Sequence, residues 1–146
     1  MARKKTARNK PGKPGITITL KRLEEIKPSL SGLLNQHLSV DTAYRLGKLA
    51  RVVNDEYQQL EENKIRLIQH YGKKYKDDIG NIRIPQDTIE YANYIQDYSE
   101  LLKKEIVIAS NQYEPIAISD LEGNKLSALD MVNLEPFIDM DELKKR

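Results

Sequence analysis

Apolar residues recur at helical spacing along the middle of this chain. Between Ser39 and Gly72 they alternate at steps of three and four residues, which predicts one helix of about thirty residues. Ser39 is a suitable N-cap, and Gly72 suits the position after the last turn. The predicted stripe comprises Ala43, Leu46, Ala50, Val53, Tyr57, Leu60, Lys64, Leu67 and Tyr71. Such a stripe packs against a long antiparallel partner.

The apolar face of this helix is wider than a two-helix seam requires. It is broadened by Leu49, Val52, Ile65 and Ile68. We therefore expect the helix to touch more than one neighbour. Lys64 lies on the packed stripe, so it must either reach the edge with its ammonium group or meet a carboxylate.

A second helix is predicted after Pro85, where Asp87 or Thr88 can act as the N-cap. Residues 77–84 form the connection, with a turn or small hairpin around Gly80-Asn81. The second helix should return antiparallel along the first. Its predicted inward-facing residues are Tyr91, Ile95, Tyr98 and Leu102.

Shorter elements flank this helical hairpin. Residues 16–20 suit an edge strand or an extended lead into a short helix that Pro28 ends. Residues 105–109 and 115–118 predict two strands of one small sheet. Ser127 begins a helix that stops before Pro136, after which Phe137 and Ile138 should dock. The predicted fold is α+β but mostly α: a long antiparallel helical hairpin with a small β-sheet and a short C-terminal helix.

The distribution of charge divides the chain into three predicted segments. Residues 1–15 contain two Pro-Gly steps and no large apolar residue after Met1, which predicts a disordered basic arm. Residues 16–138 form a single domain built on the hairpin, and residues 139–146 form a frayed charged tail. The arm carries six cations and no anion: Arg3, Lys4, Lys5, Arg8, Lys10 and Lys13. The remainder of the chain is acidic.

The chemistry that most enzymes need is missing from the sequence. The absence of cysteine excludes disulfides, thiolate metal sites and a cysteine nucleophile. The common phosphate-binding, dinucleotide-binding, nucleophile-elbow and zinc-protease motifs are also absent. His37 and His70 lie far apart, and His70 is expected to face the negative end of the long helix. We therefore expect no catalytic residue, no metal and no cofactor.

The aromatic residues indicate a thin core or an interface. Eight tyrosines accompany one phenylalanine and no tryptophan, and a tyrosine packs its ring while keeping its hydroxyl hydrated. Tyr91 and Tyr98 lie on the predicted stripe. Tyr75 and Tyr94 are the candidates for an exposed partner surface.

The N-terminus does not have the pattern of a secretion signal. Its basic start is followed by residues 11–15, which are rich in proline and glycine, and not by an apolar segment. No run of about eighteen apolar residues occurs, so we expect no membrane association. These features predict a cytoplasmic protein.

Local segments from the long helix to Ile138 resemble a group of small proteins encoded by tailed bacteriophages and prophages. The resemblance rests on residues 64–72, on the Gly80-Asn81 turn with Ile82 and Ile84, and on residues 101–106. It extends through residues 115–123, 125–127 and 134–138. The resemblance implies a phage origin, with a location in the cytoplasm of the host bacterium or in the virion. It offers no catalytic residues to carry over to this chain.

Three functions remain open from the sequence. The leading hypothesis is a non-enzymatic bacteriophage protein that acts by protein–protein association, either as a minor virion or assembly component or as a host-protein-binding factor. Its partner would be a second copy, another phage protein or a host protein. The first alternative is an accessory protein that binds nucleic acid through the basic arm in a salt-sensitive manner. The second is an inhibitor of a bacterial defence system whose acidic body mimics nucleic acid.

Overall fold

The computed structural model describes residues 15–139, which form a mostly helical fold with a small β component, as the sequence predicts. The elements in chain order are β1 (Ile16–Thr19), α1 (Leu20–Leu34), α2 (Val40–Tyr71), α3 (Ile89–Leu102), β2 (Glu105–Ile108), β3 (Ile116–Ala117), α4 (Ala128–Leu134) and β4 (Ile138–Asp139). Short 3-10 turns occupy Lys73–Tyr75, Ile118–Leu121 and Glu135–Phe137.

The long helix α2 begins and ends where the sequence predicts. The Ser39 hydroxyl accepts a hydrogen bond from the Thr42 amide at 3.2 Å, which satisfies one of the free amides of the first turn. At the other end the Gly72 amide donates to the Ile68 carbonyl at 2.8 Å. The helix spans 32 residues. It is therefore long enough to carry two neighbours in succession.

Helices α1 and α3 both pack against α2, which confirms the expectation of more than one neighbour. The Lys27 ammonium of α1 lies over the Tyr57 ring, and that of Lys64 in α2 lies over Tyr98 of α3. Near the other end of the hairpin, Lys74 pairs with Glu90. Lys64 thus meets the later part of α3, whereas Lys74, just after the end of α2, meets its first turn, so the two helices are antiparallel, as predicted.

The prediction that Pro28 ends the first helix is wrong. Helix α1 continues through Pro28 to Leu34, although an interior proline costs about 3 kcal/mol. Its buried residues lie on both sides of the proline: Leu20, Leu23, Ile26, Ser29, Leu30 and Leu33. Burial of each large apolar side chain contributes about 1.5–3 kcal/mol, so the packed face outweighs the proline. The side-chain amide of Asn133 donates to the Glu25 carbonyl at 3.1 Å, which ties α4 to this helix.

The prediction that residues 105–109 and 115–118 pair in one sheet is also wrong. Strand β2 pairs antiparallel with β1, and β3 pairs in parallel with β4. The alternation in β1 places Ile18 in the core, and Ile108 of β2 is also fully buried there. Each strand thus pairs with a distant segment that completes the core. Of the two alternatives predicted for residues 16–20, the structure has the strand, over Ile16–Thr19, and Leu20 already begins α1.

The C-terminal helix has the reciprocal cap that its sequence predicts. The Asp130 amide donates to the Ser127 hydroxyl at 3.0 Å, and the Ser127 amide donates to the Asp130 carboxylate at 3.2 Å. Phe137 and Ile138 are buried, as expected. Asp139, assigned to a frayed tail, instead belongs to β4. The rest of that tail, residues 140–146, lies outside the described residues.

The core is concentrated at one end of the molecule. It gathers the inward faces of α1 and the first part of α2 with residues of β1, β2 and the C-terminal elements. The last buried residue within α2 is Leu60, and Tyr94 is the single buried residue of α3 in this structure. The hairpin beyond Leu60 therefore has little core of its own, and it leaves apolar side chains at the surface.

Candidate functional site

All residues of the candidate site lie within residues 15–139, the described part of the chain. Outside this range lie the six cations of the basic arm, Arg3, Lys4, Lys5, Arg8, Lys10 and Lys13. Their expected contact with nucleic acid or a partner stays a prediction.

Tyr75, a candidate partner residue, is half-buried and ties the end of the hairpin together. Its hydroxyl donates to the Glu90 carboxylate at 3.0 Å, and the same carboxylate accepts from the Lys74 ammonium at 2.9 Å. The hydrogen bond with Lys74 lowers the pKa of Glu90 and raises that of Lys74. Tyr75 thus helps to hold the first turn of α3 against the segment after α2.

Tyr94, the other candidate, is not exposed as expected. It is 8% exposed and stacks on Tyr98, with ring centroids 6.0 Å apart. Ile95, placed on the inward stripe by the sequence, is instead 39% exposed. Both residues fit three- and four-residue spacing, and the structure selects the phase that buries the larger aromatic ring. Tyr94 is therefore a packing residue of α3.

Tyr98 joins all three long helices. Its hydroxyl donates to the Glu24 carboxylate of α1, and the Lys64 ammonium of α2 lies 5.4 Å from its ring centroid. Burial, followed by the bond to Glu24, raises the pKa of the Tyr98 hydroxyl well above its ordinary value. A hydroxyl with a raised pKa stays protonated at neutral pH, which is the opposite of an activated base or nucleophile. The contacts of Tyr98 with Glu24 and Lys64 therefore stabilise the packing of the three helices.

The connection between α2 and α3 contains a tight turn that is fixed by backbone hydrogen bonds. The Asp77 amide donates to the Asn81 carbonyl at 2.8 Å, and one Asp77 carboxylate oxygen accepts from the amides of Ile79 and Asn81 at 3.0 and 2.8 Å. Gly80 has a φ of +91°, which favours glycine. This turn presents Ile79 with 81% of its surface exposed. An ordered turn thus holds a large apolar side chain in solvent.

A small groove of mixed polarity lies beside this turn. It has a volume of about 170 Å³, and its lining residues are Ile65, Ile68, Gln69, Gly80, Asn81 and Ile82. A larger hollow of about 520 Å³ shares three of these residues and is also lined by Lys73 and Lys76. We call residues 65–84 the hairpin tip. The tip combines an exposed isoleucine, a groove lined in part by three isoleucines, and two neighbouring lysines.

The hairpin carries a second groove, between α2 and α3 and next to the β1–β2 sheet. It has a volume of about 530 Å³, and Leu67 and Leu101 are among its apolar residues. Charges of both signs surround it, from Arg66, Asp97 and Lys104 among others. These mixed charges favour no one class of ligand.

The two histidines show no sign of metal binding in the described part of the chain. His37 lies in the loop before α2, and His70 lies in the last turn of α2 with its ring 4.7 Å from that of Tyr71. Across residues 15–139 no three histidine, cysteine or carboxylate side chains gather as metal ligands would. None of the helices in this range has the length and apolar character needed to cross a bilayer.

The hairpin tip was not identified from the sequence. Ile65 and Ile68 were assigned to a packed face, but Ile65 is 49% exposed and Ile68 lines the groove. One local signal was present, because a β-branched isoleucine stands between Asp78 and Gly80 in a turn. Turns favour glycine, asparagine, aspartate, serine and proline, so Ile79 is unusual there.

Comparison of the chain with protein-family models, with curated proteins and with solved structures returned no match.

Proposed function

We propose that this chain is a non-enzymatic protein that acts by binding another protein through the hairpin tip. The observation that carries the proposal is the ordered turn that holds Ile79 exposed beside a groove lined in part by three isoleucines. Burying such a side chain on binding stabilises a complex, and an ordered turn adds little entropy cost. Residues of this kind often supply most of the affinity at the centre of an interface.

The architecture of the hairpin supports this proposal. Nine large hydrophobic residues of the described chain are exposed, and six of them belong to the hairpin: Val40, Tyr44, Ile65, Ile79, Ile89 and Ile95. Ile65 and Ile79 are the two at the tip. Two helices alone cannot cover apolar residues on every side. A binding partner would cover those at the tip.

The sequence resemblance suggests where such binding would operate. Under this proposal the protein is a bacteriophage product whose partner is a second copy, another phage protein or a host protein. It would act in the host cytoplasm, as a host-protein-binding factor or as an assembly component that enters the virion.

A test of this proposal is site-specific photo-crosslinking in cells that produce the full chain. A photoreactive amino acid at position 79 should yield a discrete protein adduct. The same group at position 40, where Val40 is 88% exposed at the start of α2, is the control and should not. Equal labelling at both positions, or no adduct at position 79, would argue against the tip as an interface.

The basic arm supports a second candidate, an accessory protein that binds nucleic acid. Six cations and no anion occur in residues 1–15, whereas residues 15–139 contain 15 cations and 20 anions. Any affinity would therefore come from the arm and would fall steeply as salt increases. A fluorescence-anisotropy titration with duplex DNA at two salt concentrations measures this dependence, and salt-independent binding would contradict it.

A further inference from the structure

We propose that residues 140–146 fold back over α4 of the same chain, where Met140 fills an apolar groove and Glu142 pairs with Arg22 of α1. The proposed contact belongs to the packed end of the molecule and does not depend on the hairpin tip. It rests on the character of the groove, on the direction in which the chain leaves it, and on the charge at its margin.

The groove lies on one side of α4. It has a volume of about 180 Å³, and its lining residues are Met131, Val132, Glu135 and Ile138. Its surface is almost entirely apolar, so Glu135 contributes mainly its aliphatic stem. Val132 is 52% exposed, and Leu129, one turn earlier, is 66% exposed. Since a cavity of about 150 Å³ holds a benzene-sized group, the groove has room for one large apolar side chain.

The chain itself leads past this groove. Ile138 lines the groove and belongs to β4, which ends at Asp139, so residues 140–146 start beside it. Alternate side chains of an extended chain lie on the same face, so an extended continuation places Met140 and Glu142 on the face of Ile138. Methionine is flexible and fills irregular apolar spaces well. Because no linker separates the segment from the groove, closing the contact costs little entropy.

Arg22 supplies a positive charge at the margin of the groove. Its guanidinium donates to the Val132 carbonyl at 2.6 Å, which places it against a residue of the groove. The Arg22 side chain is half-buried, and its Nε atom is buried with no hydrogen-bond partner in the described part of the chain. Among residues 15–139 no carboxylate forms an ion pair with it. A charge partly withdrawn from water favours an opposite charge, and Glu142 would provide one.

The docked segment would act as a strap over the C-terminal helix. It would cover the exposed apolar side of α4, and it would withhold that side from other proteins for as long as the segment stays in place. Burial of Met140 in the groove would also stabilise α4, because the helix has only seven residues and depends on packing for its stability.

Amide hydrogen exchange over residues 128–135 of the full chain tests the inference. Met140→Ser should speed this exchange about tenfold, because the loss of one buried apolar side chain destabilises the helix beneath it. Leu143→Ser is the matched control: it removes an apolar residue from the opposite face of the same segment and should behave as wild type. A chain that ends at Asp139 should match Met140→Ser. Equal exchange in Met140→Ser and wild type would overturn the proposal.

The ion pair is tested by a double-mutant cycle on the same exchange rates. Glu142→Gln should speed exchange over residues 128–135, and this effect should disappear when Arg22→Gln is already present. Asp141→Asn is the control, since it removes the same charge from the opposite face. If Asp141→Asn had the same effect as Glu142→Gln, the face assigned to Met140 and Glu142 would be wrong, and the proposed register would fall.

Dilution distinguishes the segment of the same chain from that of a second copy. Protection of residues 128–135 by Met140 should be independent of protein concentration, because the groove and the segment belong to one molecule. Protection that disappears on dilution would assign the groove to a second copy and overturn the strap. The crosslinks from position 79 test the hairpin tip separately, so the proposed function stands or falls without this contact.

Discussion

Lys64 shows how a charged residue can occupy a packed helix face. Its side chain is half-buried, and its ammonium group lies over the ring of Tyr98, whose hydroxyl donates to Glu24. The ring offers its negative face to the cation, an arrangement that contributes about 0.5–2 kcal/mol. Lys64 thus takes neither of the two options anticipated from the sequence, which were the edge of the stripe and a carboxylate. The choice depends on Tyr98, a residue of a different helix.

Tyr98 should make the stability of the protein sensitive to alkaline pH. Its folded-state pKa is raised above the ordinary value of 10.0, so above about pH 10 the folded chain holds a proton that the unfolded chain loses. The contribution is complete below pH 10 and is lost as pH rises further. Each such group can lower the free energy of unfolding by at most about 1.4 kcal/mol per pH unit.

Urea unfolding between pH 8 and pH 11 measures this effect. Tyr98→Phe should reduce the loss of stability above pH 10. Tyr44→Phe, which removes a hydroxyl from a side chain that is 67% exposed, serves as the control. An unchanged pH dependence in Tyr98→Phe would show that this hydroxyl is not the group responsible.

Leu60 and Leu67 share the predicted stripe but differ in burial. Leu60 is 1% exposed, so Leu60→Ala should lower the free energy of unfolding by about 2–5 kcal/mol through lost burial and a cavity. Leu67 is half-buried and lines the groove beside α3, so Leu67→Ala should cost less. Chemical denaturation of the two variants measures the difference. If both variants lost the same free energy of unfolding, Leu67 would be as buried as Leu60, which would mean that the groove is closed in solution.

At the level of elements, local signals predicted the starts of three helices and the end of the longest one. Ser39 caps α2, Thr88 caps α3 and Ser127 caps α4, each through its hydroxyl, and Gly72 follows the last residue of α2. These contacts join residues within four positions of each other. The positions of these helix ends can therefore be predicted from the adjacent sequence.

Features that depend on distant residues were not predicted. Strand β2 pairs with β1 although 85 residues, 20–104, separate them in the chain. Packing of the core decides this pairing, and no local pattern encodes it. Helix α1 passes through Pro28 because leucines on both sides are buried by other elements. The helical phase of α3 was misjudged because Tyr94 and Ile95 both satisfy the same spacing.

Substitution by alanine should have opposite effects on stability at two glycines. Gly47 lies in the first part of α2, and Gly72 follows its last residue. A Cβ atom at Gly47 meets nothing within 4 Å, so Gly47→Ala should stabilise the helix by about 0.5–1 kcal/mol. A Cβ atom at Gly72 would lie 2.3 Å from Ile82 and 3.0 Å from Ile84. Gly72→Ala should therefore displace the connection and lower the melting temperature.

Thermal melts followed by circular dichroism distinguish the two variants. Amide hydrogen exchange over residues 73–84 should also quicken in Gly72→Ala, since the displaced segment includes the turn at the hairpin tip. A Gly72→Ala protein as stable as wild type would mean that Ile82 and Ile84 do not pack on Gly72.

For the whole molecule, the structure separates a packed end from a projecting hairpin. The fold class and the hairpin itself followed from the periodicity of the sequence. The candidate surface did not, because exposure of Ile65 and Ile79 depends on where the core stops and on the geometry of one turn. An apolar residue that looks like core in the sequence becomes a surface residue when no third helix covers it.

The central claim is that the hairpin tip, and not the basic arm, carries the association of this protein. Photo-crosslinking from position 79 tests it in cells that produce the full chain and in cells that produce a chain that begins at Gly15. We expect the same discrete protein adduct from both chains, because the contact is made by the tip. An adduct that disappears when residues 1–14 are removed, or no adduct from either chain, would contradict the claim.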